Sequence, residues 1–128
     1  MRVLLDTQLA FWWLADPSRV PEAARVIVLT EGTEAWISHV SLWELAFRQQ
    51  DGRAQLDLDR FSAQLERDGF RLLPVTLQHL SSVAQLEAVP KRFDAFDKLL
   101  LAQSLTEPLV LLTTDRALAT YGVPVRLM

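Results

Sequence analysis

Residues 1–8 read MRVLLDTQ. The apolar run Val3, Leu4, Leu5 stops at Asp6, and Thr7 leads into a helical pattern that starts at Gln8. A short apolar run bounded in this way reads as a fully buried strand, and it delivers one carboxylate at its C-terminal end. In open α/β sheets, ligands settle in the crevice outside the carboxyl ends of the strands. Asp6 therefore sets the question for the rest of the chain: does more acid reach the same edge?

Working outward from Asp6, Gln8–Ala15 (QLAFWWLA) reads as a short apolar helix ending near Asp16-Pro17. Pro21–Leu29 reads as a second helix, with Pro21 at its first position and Glu22 in the first turn. Ala35-Trp36-Ile37 is a short strand. Ser38–Gln50 is a helix with Val40, Trp43, Phe47 and Leu42, Ala46 on its apolar sides, ended by Asp51-Gly52. Residues 53–57 look irregular. Leu58–Asp68 is amphipathic, with Leu58, Phe61 and Leu65 on one face. Phe70–Leu73 reads as a strand. Thr76–Leu86 is a helix with Leu77, Leu80 and Val83/Ala84 on its apolar side.

Asp94–Leu105 is an almost wholly apolar helix with two acids at its start. Leu109–Leu112 is the most strand-like run of all, Asp115 opens a short helix to Thr120, and Val123–Leu127 is a last strand. Pro124 lacks a ladder donor, which suits an edge. Helices between consecutive strands imply crossovers and a mostly parallel sheet covered on both faces. The expected fold is a three-layer α/β/α domain over residues 1–128, with about five short strands.

Composition narrows the function classes. The chain of 128 residues is half apolar and carries a formal net charge of −3. An acidic balance argues against nonspecific coating of nucleic acid, but not against a nuclease whose acids bind cations that reverse the local sign. With no cysteine, neither a disulfide framework nor a thiolate metal site is open. No basic leader and no apolar stretch of about 18 residues is present, so a cytoplasmic protein with no membrane segment is expected.

Five acids stand at or near helix starts, and each has a plain structural explanation. Asp6, Asp94 and Asp115 each precede a helix and suit N-caps. Asp97 would then complement the macrodipole, and Ser41-x-x-Glu44 fits a capping box. Two patterns go further. Asp6 and Asp115 follow apolar strands, and Glu44 lies early in the helix after another, so all three project at one sheet edge. Asp97 has Phe93, Asp94, Leu100 and Leu101 as its helical neighbours. A carboxylate so placed needs a counter-charge or a raised pKa. A divalent cation shared by Asp6, Glu44, Asp97 and Asp115 is the economical solution, and all-oxygen ligation selects Mg²⁺ or Mn²⁺.

The segments LLDTQLAFWWLADPSRV, SHVSLWELAFR, FDAFDKLLLAQS and LLTTDRALATYGVPV resemble the PIN-domain ribonucleases, and in particular VapC-like toxins of toxin–antitoxin systems. The resemblance runs in order over essentially the whole chain. It implies a metal-dependent endoribonuclease held inactive by a VapB-like antitoxin, with Asp6, Glu44, Asp97 and Asp115 as the acidic quartet. Asp94 matches the first Asp of the family's D-P-F-D segment, and Thr7 the hydroxyl after the first acid. Ala95 stands where that segment usually has Pro, and Lys91-Arg92-Phe93 replaces a His-rich lead-in.

Around the quartet, Thr7, Thr113 and Thr114 can hydrogen-bond the carboxylates or ordered water. Arg48, Arg92, Lys98 and Arg116 are candidates for RNA phosphate contact, each weighed against a solvated charged face. His39, after the second strand, is a candidate for the site edge, and His79 is expected at the surface or partly packed. The four tryptophans fit the core or a homodimer interface better than a base-stacking platform, although one exposed Trp would suit single-stranded RNA. Exposed-looking Val26, Ile27, Leu29, Trp43 and Phe47 point to a homodimer.

Other functions are weaker. An aspartyl phosphatase calls for an Asp two residues after the first, where Gln8 stands. A receiver domain needs a phosphorylatable Asp after a central strand and an apt Lys, and the two cannot both be placed. An inert PIN-like module that only sequesters a partner is the alternative outside enzymology.

Overall fold

The computed structural model describes residues 1–53, 55–87 and 89–128, so the irregular segment expected at 53–57 lies partly outside the described residues. The opening run forms β1 (Arg2–Leu5), which pairs with β2 (Glu34–Ser38) on one side and β4 (Val110–Thr113) on the other. The edges are β3 (Arg71–Leu73) and β5 (Val125–Leu127), giving the order β3-β2-β1-β4-β5 with every pair parallel. In the register at the sheet centre, Leu5 lies beside both Ile37 and Leu112. Pro124 stays outside β5, and its carbonyl accepts the Leu111 N–H at 3.0 Å.

Between the strands run α1 (Thr7–Ala15), a 3₁₀ turn at Pro17–Arg19, α2 (Glu22–Leu29), α3 (His39–Gln50), α4 (Leu58–Arg67), α5 (Leu77–Ala84), α6 (Ala95–Thr106) and α7 (Arg116–Ala119). Side chains alternate across a strand, and here that alternation divides the interior in two. Val3, Leu5, Ile37 and Leu112 join Leu9, Leu45, Phe61 and Leu65 in one core. Leu4 and Leu111 join Val40, Phe93, Leu100, Leu101 and Leu118 in the other. Each fully buried leucine contributes about 2 kcal/mol of transfer free energy, so the central strands are dry on both faces. The expected three-layer α/β/α architecture is the one found. Among the described residues no helix is long and apolar enough to cross a membrane.

Two local expectations are corrected. Pro21 is the N-cap of α2, one position outside the helix, because its ψ of 142° is extended. On α5 the faces are reversed: Leu77 and Leu80 are 78% and 52% exposed, whereas His79 is fully buried. His79 Nδ1 accepts the Thr76 N–H at 3.0 Å, and Nε2 lies 2.6 Å from Glu107 Oε2. A buried polar ring is tolerated when its nitrogens are paired. Beside it, Gln103 of α6 accepts the Ser38 hydroxyl at 2.5 Å, and Ser38 Oγ accepts the Val40 N–H at 2.9 Å. This buried chain ties α6 to the start of α3.

Candidate functional site

β1 and β4 are neighbours in the sheet, yet the chain leaves them on opposite sides. From β1 it travels out through β2 to β3, then returns to β4 on the other flank. Such a reversal opens a crevice at the carboxyl ends of the strands. Asp6 directly follows β1, Asp115 stands just beyond β4, Glu44 arrives on the second turn of α3, and Asp94 and Asp97 arrive at the start of α6. All five carboxylates line one open crevice of about 470 Å³, with Thr7, Gln8, Trp12, Arg19, Arg48, Leu100, Thr114 and Leu118 as the other walls.

Each acid is oriented by a named partner. Asp6 Oδ1 caps α1 by accepting the Leu9 N–H at 2.9 Å, and Oδ2 accepts the Thr113 hydroxyl at 2.5 Å. Thr113 Oγ1 in turn accepts the Asp115 N–H at 2.9 Å, linking two of the acids through one hydroxyl. Glu44 Oε1 accepts the Thr7 hydroxyl at 2.6 Å, and Oε2 accepts Arg48 Nη2 at 2.7 Å. Asp94 and Asp97 close a reciprocal capping box on α6: Asp97 N–H donates to Asp94 Oδ1 at 2.8 Å and Asp94 N–H to Asp97 Oδ2 at 3.3 Å. Asp115 caps α7 through the Ala117 N–H at 2.8 Å.

Capping thus accounts for the placement of Asp6, Asp94, Asp97 and Asp115 without using up their oxygens, since each carboxylate oxygen carries two acceptor sites. Glu44 is different. The N-cap of α3 is Ser38, so the Ser41-x-x-Glu44 pattern forms no capping box. Ser41 is buried, 3.1 Å from the Thr7 hydroxyl.

Burial, and after it the crowding of like charge, shows in the acidities. Burial pushes the Asp6 carboxyl above its ordinary value, against the lowering hydrogen bonds from Thr113 and Leu9, and the charges of Glu44 and Asp115 add to the rise. Half-buried Asp97 is raised from 3.8 to about 6, first by burial and next by Asp94, with Asp115 and Glu44 adding. Such a set gains from a counter-ion.

Among the described residues, no three carboxylate or imidazole groups stand close enough together to hold a metal ion among them. Mg²⁺ does not require such a cluster. It keeps several waters and binds through one or two carboxylates plus substrate phosphate. The hard all-oxygen donors, the shared crevice and the mutual repulsion of the acids fit Mg²⁺ or Mn²⁺.

Of the four cationic residues singled out in the sequence, only Arg48 lines the crevice, and it is tied to Glu44. Arg92 donates to the Thr120 hydroxyl at 3.0 Å, and Lys98 and Arg116 lie outside the lining. Thr114 lines the crevice, whereas Thr113 acts on it through Asp6. His39 is exposed and outside it. Sequence reasoning missed Gln8, Trp12 and Arg19. The available signal was helical spacing: Gln8 and Trp12 are four apart, so they share a face of α1 next to Asp6.

Comparisons agree with this geometry. A family model described as PIN domain matches residues 3–123. Ribonuclease VapC22 of Mycobacterium tuberculosis is 31% identical over 125 residues, covering 95% of this chain and 93% of that protein. Among solved structures, VapBC2 from Rickettsia felis bound to a DNA fragment from its promoter superposes with a TM-score of 0.71 at 13% identity, covering 100% of this chain and 98% of the other. A toxin–antitoxin complex from Klebsiella pneumoniae gives 0.67 at 14% identity, covering 97% and 95%. At these identities the structures show likeness of fold alone.

Proposed function

The chain belongs to the PIN-domain family, and from that premise we propose that it is a Mg²⁺- or Mn²⁺-dependent endoribonuclease, the VapC-like toxin of a toxin–antitoxin pair. The observation that carries the reading is the convergence of Asp6, Glu44, Asp97 and Asp115, from four separate elements, on one crevice at the switch point of the sheet. The similar protein from Mycobacterium tuberculosis is named a ribonuclease, which supports RNA as the substrate. Single-stranded or looped RNA is the form whose bases a protein reads most readily.

In this reading Asp6 and Asp97 would be the direct ligands of the ion, and Glu44 and Asp115 would assist them. The bound ion supplies Lewis acidity toward water, phosphate and leaving oxygen. The chain's own residues do the positioning. Thr113 fixes one oxygen of Asp6 and the backbone of Asp115, and Thr7 with Arg48 fixes both oxygens of Glu44. Asp94 holds the first turn of α6, and with it the backbone of Asp97. Leu100 and Leu118 keep part of the wall apolar, which strengthens charge interactions inside it.

The fold neighbours include toxin–antitoxin complexes, and they support a VapB-like antitoxin partner here. A segment of that partner lying in the crevice and offering a basic side chain to the acids would block it. The same reading takes residues 1–128 as one domain and the protein as cytoplasmic. It also takes it as a homodimer through exposed apolar groups such as Val26, Leu29, Trp43 and Phe47.

The test is RNA cleavage by the purified protein with Mg²⁺ or Mn²⁺. Asp6→Asn is expected to cut the rate by about 10²–10³-fold, the several kcal/mol that metal assistance supplies, with an unchanged circular dichroism spectrum. Undiminished cleavage by the variant overturns the assignment.

A further inference from the structure

Two arginines reach the crevice, and they differ in what already holds them. Arg48 Nη2 donates to Glu44 Oε2 at 2.7 Å, so its charge is engaged by a crevice acid. Arg19 is held from outside. Its Nε lies 3.0 Å from Asp16 Oδ2, and Asp16 Oδ1 accepts the Ser18 hydroxyl at 2.9 Å. The Arg19 N–H donates to Asp16 O at 3.0 Å. Its guanidinium carbon stands 5.9 Å from the centroid of the Trp12 ring, within cation–π range. Trp12 is itself packed against the core. Among the described residues, the two terminal nitrogens of Arg19 make no hydrogen bond, and the residue lines the crevice.

We propose that Arg19 is an RNA-phosphate anchor of this site, taking a backbone phosphate next to the one cleaved; the assignment rests on the ribonuclease reading above. Trp12 stands six residues beyond Asp6, the N-cap of α1, and that is roughly 9 Å along a helix axis at 1.5 Å per residue. Arg19 lines the same crevice as the acids, and on that ground the anchored phosphate is assigned as a neighbour of the scissile one. An RNA strand crossing this edge meets five carboxylates. A bound divalent ion answers for the scissile phosphate, and Arg19 is the crevice cation left for the next. The Asp16 contact and the approach to Trp12 bias the exposed Arg19 side chain toward this position, so part of its rotamer freedom is given up before binding. Lysine cannot reproduce a planar fork of donors.

The experiment measures kcat and KM on a single-stranded oligoribonucleotide with Mn²⁺ over a range of KCl, for the wild type, Arg19→Ala, Arg19→Lys and Trp12→Ala. Arg19→Ala should raise KM about tenfold with kcat within about threefold. It should also lower the slope of log KM against log[KCl] by about 0.7, the signature of one lost single-strand phosphate contact. Arg19→Lys should keep the slope and recover only part of KM, and Trp12→Ala should raise KM at an unchanged slope. Replacing the flanking phosphate with a neutral methylphosphonate should erase the difference between wild type and Arg19→Ala.

If the wild type cleaves RNA but Arg19→Ala matches its KM and slope within twofold, the anchor alone is overturned. An Arg19→Ala protein that loses only affinity for a partner protein overturns it equally. A wild type that cleaves no RNA with either metal overturns the ribonuclease reading and the anchor together.

Discussion

Replacing Asp97 with Asn removes a carboxylate charge that burial, and after it the charges of Asp94, Asp115 and Glu44, disfavour, and the expected effect has opposite signs without and with metal. The gap between the ordinary 3.8 and about 6 corresponds to about 3 kcal/mol at 1.36 kcal/mol per pKa unit. Asp97 is only half-buried, and solvent screening reduces this to about 1–1.5 kcal/mol. Against it stands the loss of an acid in the first turn of α6, a macrodipole term of about 0.3–1 kcal/mol. The Asp97 N–H still reaches Asp94 Oδ1, and the Asn side-chain oxygen still accepts the Asp94 N–H. The net is about 0–1.2 kcal/mol in favour of the variant, a rise in Tm of up to about 4 °C for a domain of this size.

A folded-state pKa raised above the unfolded one means that protonation favours the fold. The penalty is therefore full above about pH 6 and fades as pH falls toward 3.8. Metal-free wild type should gain stability from this group between pH 7.5 and 5, and Asp97→Asn should not. Adding metal reverses the order. The wild type gains about 2.7 kcal/mol at a hundred times the dissociation constant, and the variant, lacking a ligand, gains little. Calorimetric melts in EDTA and in saturating Mn²⁺ read both effects. A variant less stable than wild type in EDTA, or equal stabilisation of both by Mn²⁺, refutes the reasoning.

Two further outcomes follow from the same structure. At limiting metal, cleavage should fall about tenfold per pH unit below about 6, because protons compete with the ion for Asp97, and excess metal should move the inflection to lower pH; a flat pH–rate profile between 5 and 7 contradicts this. Ser38→Ala removes the cap of α3 and leaves Gln103 Oε1 buried without its donor. Urea unfolding should show a loss of about 2–4 kcal/mol, the sum of a cap and an unpaired buried acceptor, and a loss under about 1 kcal/mol counts against the buried chain.

Much of the fold was legible because its strands are short, apolar and separated by helices. Val3–Leu5 and Leu109–Leu112 could hardly be anything but buried strands, and the crossovers made the sheet parallel. The placing of β1 beside β4 was not legible, since pairing residues over a hundred positions apart leaves no local mark. Yet that pairing makes Asp6 and Asp115 neighbours. The acids were visible as helix-start residues, and capping positions them, so the plain and the functional explanations coincide at Asp6 and Asp97.

His79 was misread because its partners, Gln103 and Glu107, lie more than twenty residues away, while Leu77 and Leu80 gave α5 a false apolar face. Arg19 escaped notice because it reaches the crevice only after the chain reverses at Pro17. No pattern within one helix predicts such a return.

The central claim is that Asp6 and Asp97, with Glu44 and Asp115 around them, form one divalent-cation centre. Its most direct test is an anomalous difference map from crystals of the protein soaked in Mn²⁺. A peak is expected in the crevice within about 2–2.5 Å of an Asp6 or Asp97 carboxylate oxygen, the range of hard-cation coordination, with no such peak in Asp6→Asn crystals. A crevice without anomalous density, or a peak at the same place in the variant, contradicts it.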